Sequence, residues 1–166
     1  SRESLMQTIQ FQGKHLEFLK DTTPEILVEG SLSSGKSTVG IWKELDAADK
    51  YFSRWIRLRD RKCLRCHSAV RFTNGLPVSH NASHFMGRRK ENTRFNEDNV
   101  CTLCWGCHSY FTSHPAEHYQ WQVDRIGQEK VDELVLLSNL YRKKDRKLEA
   151  MYWRQRLRKD YGEQLR

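Results

Sequence analysis

The sequence predicts an α+β fold, a small core held by cysteine pairs and flanked by helices. Two cysteine pairs of the form Cys-x2-Cys, Cys63/Cys66 and Cys104/Cys107, enclose 37 residues, a loop long enough to need structure of its own. Ahead of them Ile41, Leu45, Ala48, Phe52 and Trp55 recur at three- and four-residue steps, the stripe of an amphipathic helix. Behind them Pro115 sits well at a helix start, and the chain ends in a run rich in Lys and Arg. The 166 residues suit one compact domain with appended helices. Their 37% hydrophobic content supports a modest core, of the size that a metal often staples.

In chain order, residues 4–20 read as a helix, with Leu5, Ile9, Leu16 and Leu19 on its apolar side. Thr22, Thr23 and Pro24 break it, and Ile26-Leu27-Val28 reads as a short buried strand. A long helix is expected over 39–60; its last turn carries Arg57, Arg59 and Arg61, which complement the helix dipole. Asn74-Gly75 and Pro77 mark turns in the cysteine-rich centre. Helices follow from Pro115 to near Gly127 and over 128–138. A long basic C-terminal helix is expected from Tyr141 onward, with Leu148, Met151, Tyr152 and Leu157 as a thin apolar edge.

The formal net charge is +8, unevenly spread: −2 over residues 1–46 and +10 over the rest. A basic domain of this size points to a polyanion, nucleic acid being the commonest. No apolar run reaches membrane-spanning length, and no lysine-rich apolar helix suggests a lipid surface. No secretory signal core stands at the start, so the chain reads as cytoplasmic, where cysteines are metal ligands more often than disulfides.

Each Cys-x2-Cys turn presents two thiolates to one ion. Two such turns complete a closed tetrahedral zinc site, which is structural and contributes folding energy. Cys101 is left over, since Cys101 and Cys104 also have this spacing. Both pairs are followed by histidine, His67 and His108, which also matches the c-type haem attachment pattern; haem attachment takes place outside the cytosol.

Between the pairs lies Asn81-Ala82-Ser83-His84-Phe85. Fourteen residues separate His84 from Asn99 and eight separate Asn99 from His108, which directly follows Cys107. This arrangement resembles the HNH nuclease motif, a hairpin and helix around one divalent ion, often set between two zinc knuckles. The resemblance implies a ββα-metal core. It makes His84 the general base, Asn99 the residue that holds the loop bearing it, and His108 the ligand of a catalytic Mg or Mn ion. It also assigns Cys104 and Cys107, with Cys63 and Cys66, to structural zinc. The chemistry suits these side chains: a neutral His can take a proton from water near neutral pH, and a divalent cation offsets charge growing on the phosphate. HNH enzymes usually place Asp or His just before the base. Here Ser83 stands there, which leaves the second ligand open among Asn81, His80, His114 and His118.

Longer stretches resemble the NinG family of phage recombination proteins, over about Ala47 to Asn139. They are Arg57-Leu58-Arg59-Asp60, Ala82-Ser83-His84-Phe85, Thr93-Arg94-Phe95-Asn96-Glu97-Asp98-Asn99, Arg125-Ile126-Gly127-Gln128-Glu129 and Val131-Asp132-Glu133-Leu134. The family resemblance implies a phage-encoded endonuclease that nicks branched recombination intermediates in the bacterial cytoplasm. Cutting both arms of a junction would favour a dimer. A zinc-stabilised DNA-binding module without activity is the alternative.

Arg88, Arg89, Lys90 and Arg94 fall between His84 and Asn99 and are expected to contact phosphates, setting register and not sequence. The C-terminal cations suit either a second DNA arm or a solvated helix face. Upstream, Gly30-x4-Gly35-Lys36-Ser37 matches a phosphate loop, and residues from about Phe11 to Leu45 resemble the start of a phage large-terminase ATPase. No Walker B strand follows, so this segment reads as an ATPase fragment that hydrolyses nothing; a terminase-associated packaging role rests on it alone. The expected organisation is thus an ATPase-like segment over 1–46, a nuclease domain over 47–139 and a basic helix over 140–166.

Overall fold

The computed structural model describes residues 38–163, with side-chain environments from Ala47 onward. The helix expected over 4–20, the strand at 26–28 and the phosphate-loop residues Gly30, Gly35, Lys36 and Ser37 lie outside the described residues. From Gly40 the chain forms one compact unit.

The elements in chain order are α1 (Thr38–Asp60), β1 (Phe72–Thr73), β2 (Leu76–Pro77), β3 (Asn81–His84), α2 (Glu91–Arg94), β4 (Val100–Leu103), α3 (Trp105–Ser113), α4 (Pro115–Ile126), α5 (Gln128–Asn139) and α6 (Arg146–Tyr161). Of the α1 stripe, Ala48, Phe52 and Trp55 are buried, with Ile56 beside them, while the side chains of Ile41 and Leu45 lie outside the described residues. β1 and β2 form a small hairpin, and Asn74 and Gly75 at its turn both have positive φ, as a type I′ turn requires. Gly127 separates α4 from α5 at φ +89°, a conformation that glycine alone adopts without strain.

The centre of the molecule is the antiparallel pair of β3 and β4, in register Asn81↔Leu103, Ala82↔Thr102, Ser83↔Cys101 and His84↔Val100. Successive strand residues point to opposite faces, and here both faces of the hairpin are covered. On one face Ala82 and Val100 join Phe52, Trp55, Ile56, Phe95, Trp153 and Leu157 from α1, the loop before β4 and α6. On the other, Cys101 and Leu103 pack with Cys63, Cys107 and Phe111. This is why all four residues of β4 are buried.

The end of α1 is stitched to this hairpin. Arg59 donates to the carbonyls of Glu97 and Val100, both at 2.9 Å, and Asp60 accepts from the Thr102 amide at 2.7 Å. The last-turn arginines thus serve tertiary hydrogen bonds beyond the dipole complement read from the sequence.

The C-terminal helix begins five residues later than expected. Asp145 caps it by accepting from the amides of Lys147 and Leu148. Its buried side is Glu149, Trp153 and Leu157, and it is part of the core instead of a separate arm. No described helix is long and apolar enough to cross a membrane.

Candidate active site and metal centre

Cys63 and Cys66 lie in the turn after α1, Cys104 is the N-cap of α3 and Cys107 sits in its first turn. Their four sulfurs all lie within 4.8 Å of one another, a set that could hold a structural metal such as zinc. Cys66 Sγ and Cys104 Sγ are 3.7 Å apart. Tetrahedral thiolates at 2.3 Å from zinc would sit about 3.8 Å apart, so the spacing fits. The Cys66 amide donates to Cys63 Sγ at 3.5 Å and the Cys107 amide to Cys104 Sγ at 3.4 Å. Such donors offset thiolate charge and fix ligand orientation. Cys101 stands apart from this cluster: burial pushes its thiol up to about 12, so it packs as a small neutral hydrophobe.

One member of the centre escaped the sequence reading. Arg65, inside the first Cys-x2-Cys turn, donates to Cys107 Sγ at 3.7 Å and lies over the rings of Tyr110 at 4.1 Å and Phe111 at 5.0 Å. It fastens the first knuckle to α3. Its only signal in the sequence was its place between two ligands.

Because Cys107 fixes the first turn of α3, it also fixes His108, the next residue. His108 Nδ1 lies 2.9 Å from Ser83 Oγ, so the hairpin and α3 meet at these two side chains. In the tautomer whose Nδ1–H donates to Ser83, the Nε2 lone pair is left for a ligand.

His84 ends β3 on the opposite face, against the ring of Phe52. Its Nε2 donates to the Arg94 carbonyl at 2.9 Å, which leaves Nδ1 as the basic nitrogen. Burial, with the positive charges of Arg88 and Arg94 adding to it, pushes the imidazole down to about 4, so it is neutral at pH 7.

Asn99 is fully buried, with no side-chain polar atom idle. Oδ1 accepts from the Met86 amide at 2.6 Å, and Nδ2 donates to the carbonyls of Met86 and Thr93, both at 2.9 Å. It therefore holds the loop that runs between His84 and α2.

The four expected phosphate contacts divide. Arg88, Arg89 and Lys90 are exposed on that loop. Arg94 is less exposed, and its guanidinium is ion-paired to Asp49, with Nε–Oδ1 at 3.0 Å, and to Glu91. Asp49 lies 45 residues upstream, too far for the sequence reading to pair it with Arg94.

The alternatives for a second ligand are also dispersed. His80 bonds Ser68 and Ser79, Asn81 is exposed at the far end of β3, and His114 stacks on Tyr110 at 4.1 Å. His118 stacks on Phe111 at 4.5 Å, with Nε2 buried and unpartnered. Among the described residues the four cysteines are the only group of three or more His, Cys, Asp or Glu placed to share an ion.

The family model described as "Bacteriophage Lambda NinG protein" matches residues 37–164. The chain belongs to this family. NinG proteins are phage proteins associated with recombination. The match extends past the stretch expected from the sequence at both ends and takes in the whole of α6, in keeping with the packing of that helix in the core. No curated protein matches the chain, and neither does any solved structure.

Proposed function

We propose that this chain is a metal-dependent DNA endonuclease of the HNH type that nicks branched recombination intermediates. The observation that carries the reading is the meeting of Ser83 and His108 at 2.9 Å. It joins β3, the strand that ends in His84, to the helix that carries His108 and the second cysteine pair, while the His84 imidazole lies on the other face of the hairpin.

In this reading His84 Nδ1 accepts the proton of the attacking water. The Arg94 carbonyl fixes its tautomer, and its depressed pKa keeps it unprotonated at neutral pH, at the cost of basicity that DNA phosphates nearby would restore. His108 Nε2 would hold a divalent ion such as Mg or Mn, which when bound offsets negative charge on the phosphate. The protein's donor set there is thin, one imidazole beside one hydroxyl, so water and DNA oxygens would complete the coordination. Arg88, Arg89 and Lys90 on the loop after His84 suit contact with the DNA backbone.

Ser83 in place of an acid favours a second reading, a zinc-stabilised DNA-binding protein without activity. Cleavage of labelled duplex and four-way-junction DNA, with Mg or Mn added, separates the two. Metal-dependent cutting that disappears in His84→Ala supports the nuclease. Binding with no cutting under any metal leaves the second reading.

A further inference from the structure

We propose that Trp105 is a stacking platform for an unpaired base beside the nicked phosphate, and so a determinant of preference for branched DNA. The inference rests on the DNA-binding reading above and adds a residue that reads DNA structure.

Trp105 is 76% exposed, while Trp55 and Trp153 are almost fully buried. A large indole left in water forgoes the burial that usually stabilises such a ring. No ring among the described residues packs against it. Packing among the described residues therefore does not explain its presence.

Its position is fixed from both sides. Trp105 is the first residue of α3, between Cys104 and Cys107, so a metal held by the four cysteines would pin its backbone. Helical spacing puts Trp105, His108 and Thr112 on one stripe of α3, with Trp105 one turn before His108. Three residues of helix rise about 4.5 Å along the axis, between one and two stacked-base steps of about 3.4 Å. The neighbouring residue, Gly106, adds no side chain to this end of the helix, and space around its own Cβ position is open.

The occupant follows from the chemistry. Residues 47–166 carry a net charge of +10, which suits a polyanion, and an exposed indole suits a flat π-face. In intact duplex each base is already stacked above and below, so the indole gains nothing. At a branch, gap or loop one base face is free, and the indole can cover it. A single aromatic placed one turn from the reacting site thus converts general backbone affinity into a preference for interrupted duplex.

The test uses the full chain with its zinc, in buffer without added magnesium or manganese, so that binding is read apart from cutting. The probes are an intact duplex and a branched DNA of the same length with 2-aminopurine at the unpaired position. The native chain is expected to bind the branched DNA more tightly and to quench the 2-aminopurine. Trp105→Ala should lose about tenfold in affinity for the branched DNA, lose the quench and hold the duplex as before. Trp105→Phe should keep most of both signals, and equal zinc content in all three proteins confirms that the knuckle is intact. An unchanged branched-to-duplex ratio in Trp105→Ala overturns the proposal. So does a loss of self-association in that variant with DNA preference unaltered, which would make the ring a protein contact. If the native chain binds neither DNA, the endonuclease reading itself falls, and this inference with it.

Discussion

The hydroxyl of Ser83 and Nδ1 of His108 stand 2.9 Å apart, joining the central hairpin to the helix that follows it. Ser83 therefore orients the imidazole even though it is a poor metal ligand itself. On the proposed nuclease reading, Ser83→Ala should weaken apparent metal affinity in cleavage by roughly tenfold, the usual cost of removing an orienting partner. Ser83→Asp should shift it the other way by bringing a charge to the ion. Half-saturating manganese in a cleavage titration checks both; identical values in all three proteins would remove Ser83 from the site.

Asn99 satisfies three backbone groups from a buried position. Truncation to Ala leaves one amide and two carbonyls without that partner, at a cost of about 2–4 kcal/mol in stability. Asn99→Asp should not rescue it, because a carboxylate cannot donate to the Met86 and Thr93 carbonyls. Urea unfolding of the three proteins measures the difference, and a loss below about 1 kcal/mol would contradict this account.

The cysteine cluster makes a prediction about which thiols matter. Cys104→Ser should lower zinc content and broaden or abolish the unfolding transition, since structural zinc contributes folding energy directly. Cys101→Ser should leave the zinc stoichiometry unchanged, because Cys101 lies outside the cluster. Native mass spectrometry gives the metal count for each.

His84 links stability to pH. Its folded value of about 4 lies below the ordinary 6.5, so between those values the unfolded chain takes up the proton more readily. The contribution is fully present above pH 6.5 and is lost as pH falls towards 4. His118 is lowered to about 4 as well, chiefly by burial, and adds to the same trend. Thermal midpoints from pH 7 to pH 4 should therefore fall less steeply in His84→Phe than in the native chain. Parallel curves would mean that the imidazole titrates normally.

The cysteine cluster was readable because its residues are tied by short spacings. A Cys-x2-Cys turn brings its own two ligands together, and His108 is fixed by adjacency to Cys107. Asn99 bonds Met86 and Thr93, both within 13 residues. What could not be read depends on long-range pairing. Asp49 and Arg94 meet across 45 residues, so a cation read only as a DNA contact also makes an ion pair within the fold. The start of α6 was misplaced because the basic run from Arg142 carries no stop signal, while the cap at Asp145 acts only through the amides after it. Its buried side was also hidden, because Glu149 belongs to that stripe. Burial there is possible since Glu149 accepts from Trp153 Nε1 at 3.2 Å and pairs with Lys144.

The packing of α6 bears on how the chain can be divided. Trp153 lies against Phe52 and Trp55, Trp55 Nε1 donates to Asp160 at 2.8 Å, and Arg146 ties the helix start to Glu91. Cutting the chain after Asp145 would strip the aromatic wall from α1 and uncover the face of the hairpin that carries His84. The basic tail is thus no detachable handle that evolution or an engineer could exchange for another targeting module. A minimal fragment must run through Tyr161, and a shorter one is expected to aggregate instead of yielding a smaller folded domain.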